Sequence, residues 1–299
     1  MKVVPIFTDE VAQQGGWHGQ ALAQAFARQG WQALMVCLDS CHVSVANQTV
    51  NVHIPGLQQT SPMAFVRGVA AGTTQQIITR MNILHTLQRQ GMAIYNHARA
   101  IETTVDKSLT SQLLAEHGVA TPETWVCEYR NTAHLIMQQV LDSGRALVIK
   151  PLFGSQGKGV RLIEHPEQFA LPHDMFVDGV YYLQEKIECG PYQHDYRVFV
   201  VNGEPVAVMR RQGEGWLHNV ARGARCNACD EPDVAELGVR AAAAIGIDYA
   251  GVDIMRDQHG QLWVIEVNSI PAWRGLQSIT NVNIADLLVA DLLRLANQR

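Results

Sequence analysis

The sequence predicts an α/β protein, a parallel α/β layer followed by two α+β units rich in hairpins. Three observations carry this. Strand and helix signals alternate through the first hundred residues, which implies a parallel sheet. A glycine loop after Lys150 has strand residues on both sides, so it closes a hairpin instead of opening a helix. Asn202-Gly203 then separates two apolar runs, a strong signal for a tight antiparallel turn.

Taken in order, Lys2 to Phe7 is a short apolar strand. Gly15, Gly16, Trp17 and His18 read as a loop, and Leu22 and Phe26 then start a helical stripe that Gly30 ends. Ala33 to Cys37 and Phe65-Val66 are further strands. Ile77, Met81, Leu84 and Leu87 keep helical spacing up to Gly91, and Ile94-Tyr95 follows as a strand. The first strand-helix turn has no G-x-G-x-x-G, so nothing here points to dinucleotide binding. Asp106 can cap a helix with Leu109, Leu113 and Leu114 that Gly118 stops. Trp125-Val126 is a strand, and Leu135, Ile136 and Val140 suggest a helix. Strands Tyr196–Val201 and Pro205–Met209 flank the Asn-Gly turn. A helix from about Asp233 to Ile245 precedes strands Tyr249–Met255 and Leu262–Val267. Ile284, Leu287, Leu288, Leu292 and Leu295 make a closing amphipathic helix.

The bulk numbers exclude several classes. The chain has 299 residues, which suits two or three packed units. The net charge of −5 lacks the field that attracts long polyphosphate, so nucleic acid is not an expected partner. No apolar run is long enough to span a bilayer, and the first residues lack a signal-peptide pattern, so a cytoplasmic protein off the membrane is expected. The six cysteines form no dense framework, and Cys226-Asn-Ala-Cys229 has no second pair at zinc spacing. Homo-oligomerisation is left open.

Three constellations carry chemistry. The first is Lys150-Pro-Leu-Phe-Gly154-Ser155-Gln156-Gly157-Lys158-Gly159, between Ala146–Ile149 and Val160–Ile163. Glycines let backbone N–H groups fold over phosphates, and the lysines add positive charge. A mobile surface loop would look the same. The second comprises Asp253, in Gly-Val-Asp-Ile, and Glu266 with Asn268, in Ile-Glu-Val-Asn. Glu266 and Asn268 are two apart on an extended segment and share a face. With a turn over Asp257–Gly260, Asp253 would face Val264 and have Glu266 as its diagonal neighbour. Two acids among apolar neighbours need a counter-charge, and hard oxygen ligands suit Mg²⁺ that also holds phosphates. A solvated polar face on an edge hairpin is the plainer alternative. The third is a set of bases. Lys107 sits in the first turn of its helix, where a cation opposes the macrodipole. Arg197, Arg210, Arg211, Arg222, Arg225 and Arg274 crowd the last third, each solvated by default.

With these motifs in hand, the chain resembles the ATP-grasp superfamily, and within it the RimK-like α-L-glutamate ligases of the ribosomal-protein modification type. The resemblance spans roughly residues 100 to 299 and rests on Val-Asp-Lys107-Ser, Val-Ile-Lys150-Pro, the glycine loop, Gln184-Glu185-Lys186-Ile187, Asp195-Tyr-Arg197, Asn219-Val-Ala-Arg222, Asp253 and Glu266-Val-Asn268. It implies a pre-ATP-grasp α/β domain over 1–100. An ATP-grasp subdomain with the glycine hairpin would cover 101–185, and one with the Mg-binding hairpin 186–299. It implies that Lys107 and Lys150 meet the α- and β-phosphates and that Gly154–Gly159 forms a flap. Gln184 to Ile187 would meet adenine and Asp195 the ribose. Asn219 and Arg222 would serve the γ-phosphate and acyl phosphate. Asp253, Glu266 and Asn268 would bind two Mg²⁺ ions, or Mn²⁺ in their place. The chain departs from the family at Leu217-His218-Asn219 and at Pro271-Ala-Trp273-Arg274-Gly. The latter is similar to a subgroup tied to cofactor biosynthesis of the tetrahydromethanopterin kind.

The activity so implied is ligation of a carboxylate to an amine through an acyl phosphate, with glutamate and an amine- or carboxylate-bearing acceptor as partners. The alternatives are phosphoryl transfer to a hydroxyl and a non-enzymatic ATP-binding scaffold. Arg274 follows Asn268 by six residues. It is therefore expected near the γ-phosphate, holding a substrate carboxylate in its fork. The competing reading is a surface arginine lying over Trp273.

Overall fold

The computed structural model describes residues 2–154, 157–169, 179–192, 194–213 and 225–298. Strand β1 (Lys2–Phe7) leads to helix α1 (Gly16–Arg28) and β2 (Trp31–Val36). Helix α1 begins at Gly16, so Gly16 to His18 are helical and not the loop that two adjacent glycines suggested. Gly15 is the left-handed cap residue (φ 75°) that turns the chain into the helix. A hairpin of β3 (His42–Ala46) and β4 (Thr49–His53) follows. Next come β5 (Met63–Val66), α2 (Thr74–Arg89) and β6 (Ala93–Tyr95). Strands β2-β1-β5-β6 form one all-parallel sheet, as the alternating pattern required.

This sheet is buried on both faces. Val4, Ile6, Phe65 and Tyr95 point to one side, where Leu22 and Phe26 of α1 pack with Leu288 and Leu292 from the end of the chain. Phe7, Ala64, Val66 and Ile94 point to the other, against Met81, Leu84 and Leu87 of α2.

Helices α3 (Ala98–Val105) and α4 (Lys107–Glu116) come next, and Asp106 caps α4 through the N–H groups of Ser108 and Leu109. Strand β7 (Thr124–Cys127), α5 (Arg130–Asp142), β8 (Leu147–Lys150), β9 (Arg161–Ile163) and β10 (Tyr181–Glu185) make the second sheet, ordered β7-β10-β8-β9 and antiparallel. Helix α5 buries Ala133, Met137 and Val140 against it, while Leu135 is exposed.

The third sheet contains β11 (Asp195–Val201), β12 (Glu204–Gln212) and β13 (Arg225–Ala228). After helix α6 (Pro232–Ile245), β14 (Tyr249–Arg256) and β15 (Leu262–Asn268) complete it in the order β13-β12-β11-β14-β15. Asn202 and Gly203 both have positive φ, the type I′ geometry expected of that pair. The chain closes with α7 (Arg274–Gln277) and α8 (Ile284–Asn297), whose Ile284, Leu288 and Leu292 join the core of the first sheet.

Asn96, just past β6, ties that sheet to the end of the third. Its amide donates to the carbonyls of Tyr249 (2.8 Å) and Ser269 (2.7 Å) and accepts from the N–H groups of Asp248 and Tyr249. The turn after β15 is therefore fixed against the carboxyl end of the parallel sheet. No described helix is long and apolar enough to cross a membrane.

Candidate active site

A cavity of about 350 Å³ opens between the second and third sheets, within the size range of small-molecule sites. Lys107, Lys150, Gln184, Asp195, Asp253 and Glu266 line it together with Gly154, Gly157 and Lys158 of the glycine loop. Elements distant in sequence thus bring most of the sequence-predicted residues to one place.

On one wall stand two lysines with no ion pair among the described residues. Lys150 ends β8, and its Nζ donates to Gln184 Oε1. Gln184 is itself held by Thr124 Oγ1 (3.1 Å) and the Tyr182 hydroxyl (3.0 Å), which meets Ser111 Oγ at 2.8 Å. Burial lowers the Lys150 pKa to about 8 against the pull of Glu266, with Lys107 pushing the same way as burial. Lys107 Nζ donates to the carbonyls of Leu152 (3.3 Å) and Gly154 (2.9 Å), and burial lowers its pKa too. Buried cations held only by neutral oxygens are costly unless an anion arrives, and two side by side suit a polyphosphate.

The acids stand on the other wall. Asp253 on β14 lies directly opposite Glu266 on β15. The expected pairing of Asp253 with Val264 is thus corrected. Val264 pairs with Ile254 on the core side, and the register shifts at that point. The turn is one residue longer than read from the sequence, because Asp257 Oδ1 accepts from the N–H groups of both His259 and Gln261 and closes the loop on Gln261. A β-bulge at Ile265 then returns Glu266 to the cleft. Without it, regular pairing would set Glu266 opposite Val252, whose side chain is in the core. Asn268 follows on the same side, opposite Gly251.

The counter-charge for Asp253 comes from within the chain. Arg197 grips it in a fork, Nε to Oδ1 and Nη2 to Oδ2 both at 2.7 Å, and Arg211 Nη2 reaches Oδ1 at 3.2 Å. Arg211 also forks onto Asp195 at 2.7 and 2.6 Å. Burial alone would raise the Asp253 pKa, but the two guanidinium groups hold it below the usual carboxylate range. Asp195 is raised, because burial and the neighbouring Asp253 charge outweigh the Arg211 fork. Among the described residues no three His, Cys, Asp or Glu side chains gather as a metal cluster. The donors that line the cleft are the Asp253 and Glu266 carboxylates, while Asn268, whose amide donates to the Gly251 carbonyl at 3.4 Å, stands outside the lining; an all-oxygen set fits Mg²⁺ or Mn²⁺ and not zinc.

Glu185, Lys186 and Ile187 form one rim. The Glu185 carboxylate meets Arg145 (3.1 Å), and Lys186 meets Glu188 (2.9 Å). Gly157 and Gly159 have φ of 69° and 73°, and a Cβ on Gly159 would sit 2.7 Å from Pro151 Cγ, so the loop needs glycine there. Ser155, Gln156, Asn219 and Arg222 lie outside the described residues, as does His218.

Residues 104–292 match the RimK-like ATP-grasp domain. The chain belongs to the RimK-like ATP-grasp family. It is 32% identical over 282 residues to a protein of Alkalilimnicola ehrlichii named "Probable alpha-L-glutamate ligase", covering 93% of this chain and 91% of the relative. It is 32% identical over 241 residues to the tetrahydromethanopterin:alpha-L-glutamate ligase of Methanococcus maripaludis, covering 79% and 80%. The same fold occurs in a RimK domain ATP-grasp protein from Sphaerobacter thermophilus (TM-score 0.72, 18% identity, 97% and 99% covered). It also occurs in the ATP-grasp ligase PsnB complexed with minimal precursor, Mg and ADP (TM-score 0.70, 18% identity, 99% and 98% covered). This RimK-like protein is therefore an enzyme of the ATP-dependent, ADP-forming ligase class.

Some residues of this RimK-like site were not assigned from sequence. Arg197 and Arg211 read as two of many solvated bases, yet Arg211 is 3% exposed and both hold Asp253. The Gln184 side chain also positions Lys150, a role that no sequence signal marks. Arg274 is exposed and outside the cleft lining, and its guanidinium lies 5.9 Å over the Trp17 ring instead of Trp273. The short helix α7 turns it away from the strand that it closely follows.

Proposed function

We propose that this enzyme joins L-glutamate to an acceptor, activating a carboxylate with ATP as an acyl phosphate. The observation that carries the reading is Asp253 opposed to Glu266, facing Lys107 and Lys150 across one cleft. Uncompensated lysines on one wall and oxygen ligands on the other match the two ends of a metal-bound triphosphate. The glutamate specificity comes from the names of the relatives.

In this reading Lys107 and Lys150 hold the α- and β-phosphates. The rim from Gln184 to Ile187 receives adenine. Asp195, its carboxylate fixed by Arg211, receives the ribose hydroxyls. Asp253, Glu266 and Asn268 would hold two Mg²⁺ ions, which supply charge stabilisation at the transferring phosphoryl group. The carboxylate oxygen attacks the γ-phosphorus and ADP leaves. The amine nitrogen then attacks the acyl carbon, phosphate leaves and the amine gives up a proton. Asn219 and Arg222 are assigned to the oxygens of the transferred group, and the Gly154–Gly159 loop, with Ser155 and Gln156 at its tip, keeps water from the acyl phosphate. The units 1–100, 101–185 and 186–299 divide the labour, the last two clamping the nucleotide. A cytoplasmic site of action, free of membrane and nucleic acid, goes with this reading.

An ADP-release assay tests it. ADP should form only when a carboxylate acceptor and L-glutamate are both present. ADP formed with a hydroxyl compound and no amine would replace ligation by phosphoryl transfer, and no ADP under any condition would leave only a binding scaffold.

A further inference from the structure

Outside the nucleotide cleft, one cluster holds buried donors that the proposed reaction does not use. Arg67 follows the last residue of β5, at the carboxyl end of the parallel sheet, and its main-chain N–H donates to the Phe7 carbonyl at 2.7 Å. Its guanidinium lies 5.4 Å over the Trp273 ring, and Nη1 reaches the Ile270 carbonyl at 3.5 Å, the outer limit of a hydrogen bond. Its Nε is buried with no partner, and the group makes no ion pair among the described residues. Trp273 is 0% exposed, and its Nε1 has no partner either. Buried donors are nearly always satisfied, so two orphans beside each other mark a place built for an acceptor.

The neighbours define what that acceptor is. His18 is wedged between Trp17 and Trp273, with ring centroids 5.0 and 4.5 Å away. Arg274 lies over Trp17 at the far end, so a guanidinium group stands at each end of a Trp-His-Trp array whose rings meet edge to face. His18 Nε2 accepts the Trp273 main-chain N–H at 3.1 Å, which places the ring proton on Nδ1. Burial, then Arg67 and Arg274, push the His18 pKa down to about 3, so the ring adds no charge. Asp9 lies against Gly68 and Glu10 against Gly16, near enough to Arg67 to favour its charge without pairing with it. A lone guanidinium with two acids nearby suits a single negative charge better than a phosphate dianion. A planar, two-oxygen anion matches the guanidinium fork.

The location gives the anion a role. Ligands of parallel α/β sheets bind beyond the carboxyl ends of the strands, where Arg67 lies. Ile270, which Arg67 touches, is two residues after Asn268. The cluster therefore lies at the carboxyl end of the parallel sheet, beside the turn that follows β15.

We propose that Arg67 and the Trp273 indole N–H bind a carboxylate of the acidic substrate other than the one being activated. The identity of that substrate rests on the ligase reading, whereas the anion site rests on the orphaned donors alone.

Calorimetric titration of the full chain with L-glutamate and with glutarate, a dicarboxylate without an amine, tests it. Arg67→Lys keeps the charge and loses the fork, and Trp273→Phe keeps a ring and removes the N–H. Each should weaken probe binding by about tenfold, while the KM for ATP is unchanged. Loss confined to L-glutamate assigns the site to the amine donor, and loss that includes glutarate assigns it to a carboxylate acceptor. Should Arg67→Lys fail to fold, Trp273→Phe decides. Parent-like affinity in the folded variants, or a parent that binds neither probe, overturns the site and makes the stack a structural clamp. Glutamate incorporation that fails in the parent while Arg67-dependent probe binding persists would sink the ligase reading and leave the site standing.

Discussion

Asp253 faces Glu266 across β14 and β15 because a bulge at Ile265 adds one residue to β15. The bulge turns an apolar alternation into a strand that buries Val264 and Val267 and still presents Glu266 to the cleft. Glu266→Gln keeps the shape and removes the charge. Turnover should fall by about a hundredfold or more, with ATP affinity changed far less, because the charge matters most as the γ-phosphate leaves. Calorimetry paired with a coupled ADP assay measures both. Near-normal turnover would remove Glu266 from the chemistry.

Gln184 offers Lys150 a neutral partner, which leaves the ammonium free to meet phosphate. Gln184→Glu would give it a permanent counter-ion. The KM for ATP should then rise by about tenfold while thermal stability stays within a few degrees of the parent. An unchanged KM would show that Lys150 does not bind the nucleotide.

Lys150 also predicts a pH dependence. Its pKa is lowered from 10.5 to about 8 by burial, so between these values the unfolded chain holds a proton that the folded chain has released. Stability therefore gains from this group as pH rises from about 8 to 10.5, and the charged lysine is a burden below that window. Lys150→Met should raise the melting temperature of the nucleotide-free protein at pH 7, with the advantage shrinking towards pH 10.5. The kcat/KM for ATP of the parent should decline above pH 8 as the charge is lost.

Arg211 neutralises two buried carboxylates at once. Arg211→Met should cost about 3–5 kcal/mol by leaving the Asp195 charge uncompensated and Asp253 with Arg197 alone. The loss should be smaller at pH 5 than at pH 8, since protonation then relieves the repulsion between Asp195 and Asp253. Urea melts at the two pH values measure this, and a pH-independent loss would attribute the effect to packing.

Much of this was legible in the sequence, for local reasons. The parallel sheet follows from alternating periodicity, and the β11–β12 turn from Asn202-Gly203. The helix cap at Asp106 needed only short-range rules, whereas the regular pairing read for Asp253 and Glu266 reached their shared face only because a longer turn and a bulge offset each other. What was missed depended on tertiary context. The β3–β4 hairpin turns on Asn47 and Gln48, both with positive φ and neither a glycine, so no turn signal stood out. Gly15-Gly16 read as a loop because glycine is a poor helix former, yet Gly16 opens α1. The bulge at Ile265 has no signature, since isoleucine suits a regular strand equally well. Arg67 is an unremarkable base in the sequence, and only the packing of Trp273 against it reveals an unpaired buried charge.

The most direct test supplies nitrogen-15-labelled L-glutamate, ATP and Mg²⁺ to the parent and to Glu266→Gln in a small-molecule extract, with products read by mass spectrometry. The account predicts that the parent adds a labelled glutamyl residue to one compound, forming one ADP per residue added, and that the variant does not. A product that gains a phosphoryl group in place of labelled glutamate, or equal labelling by the variant, would contradict it.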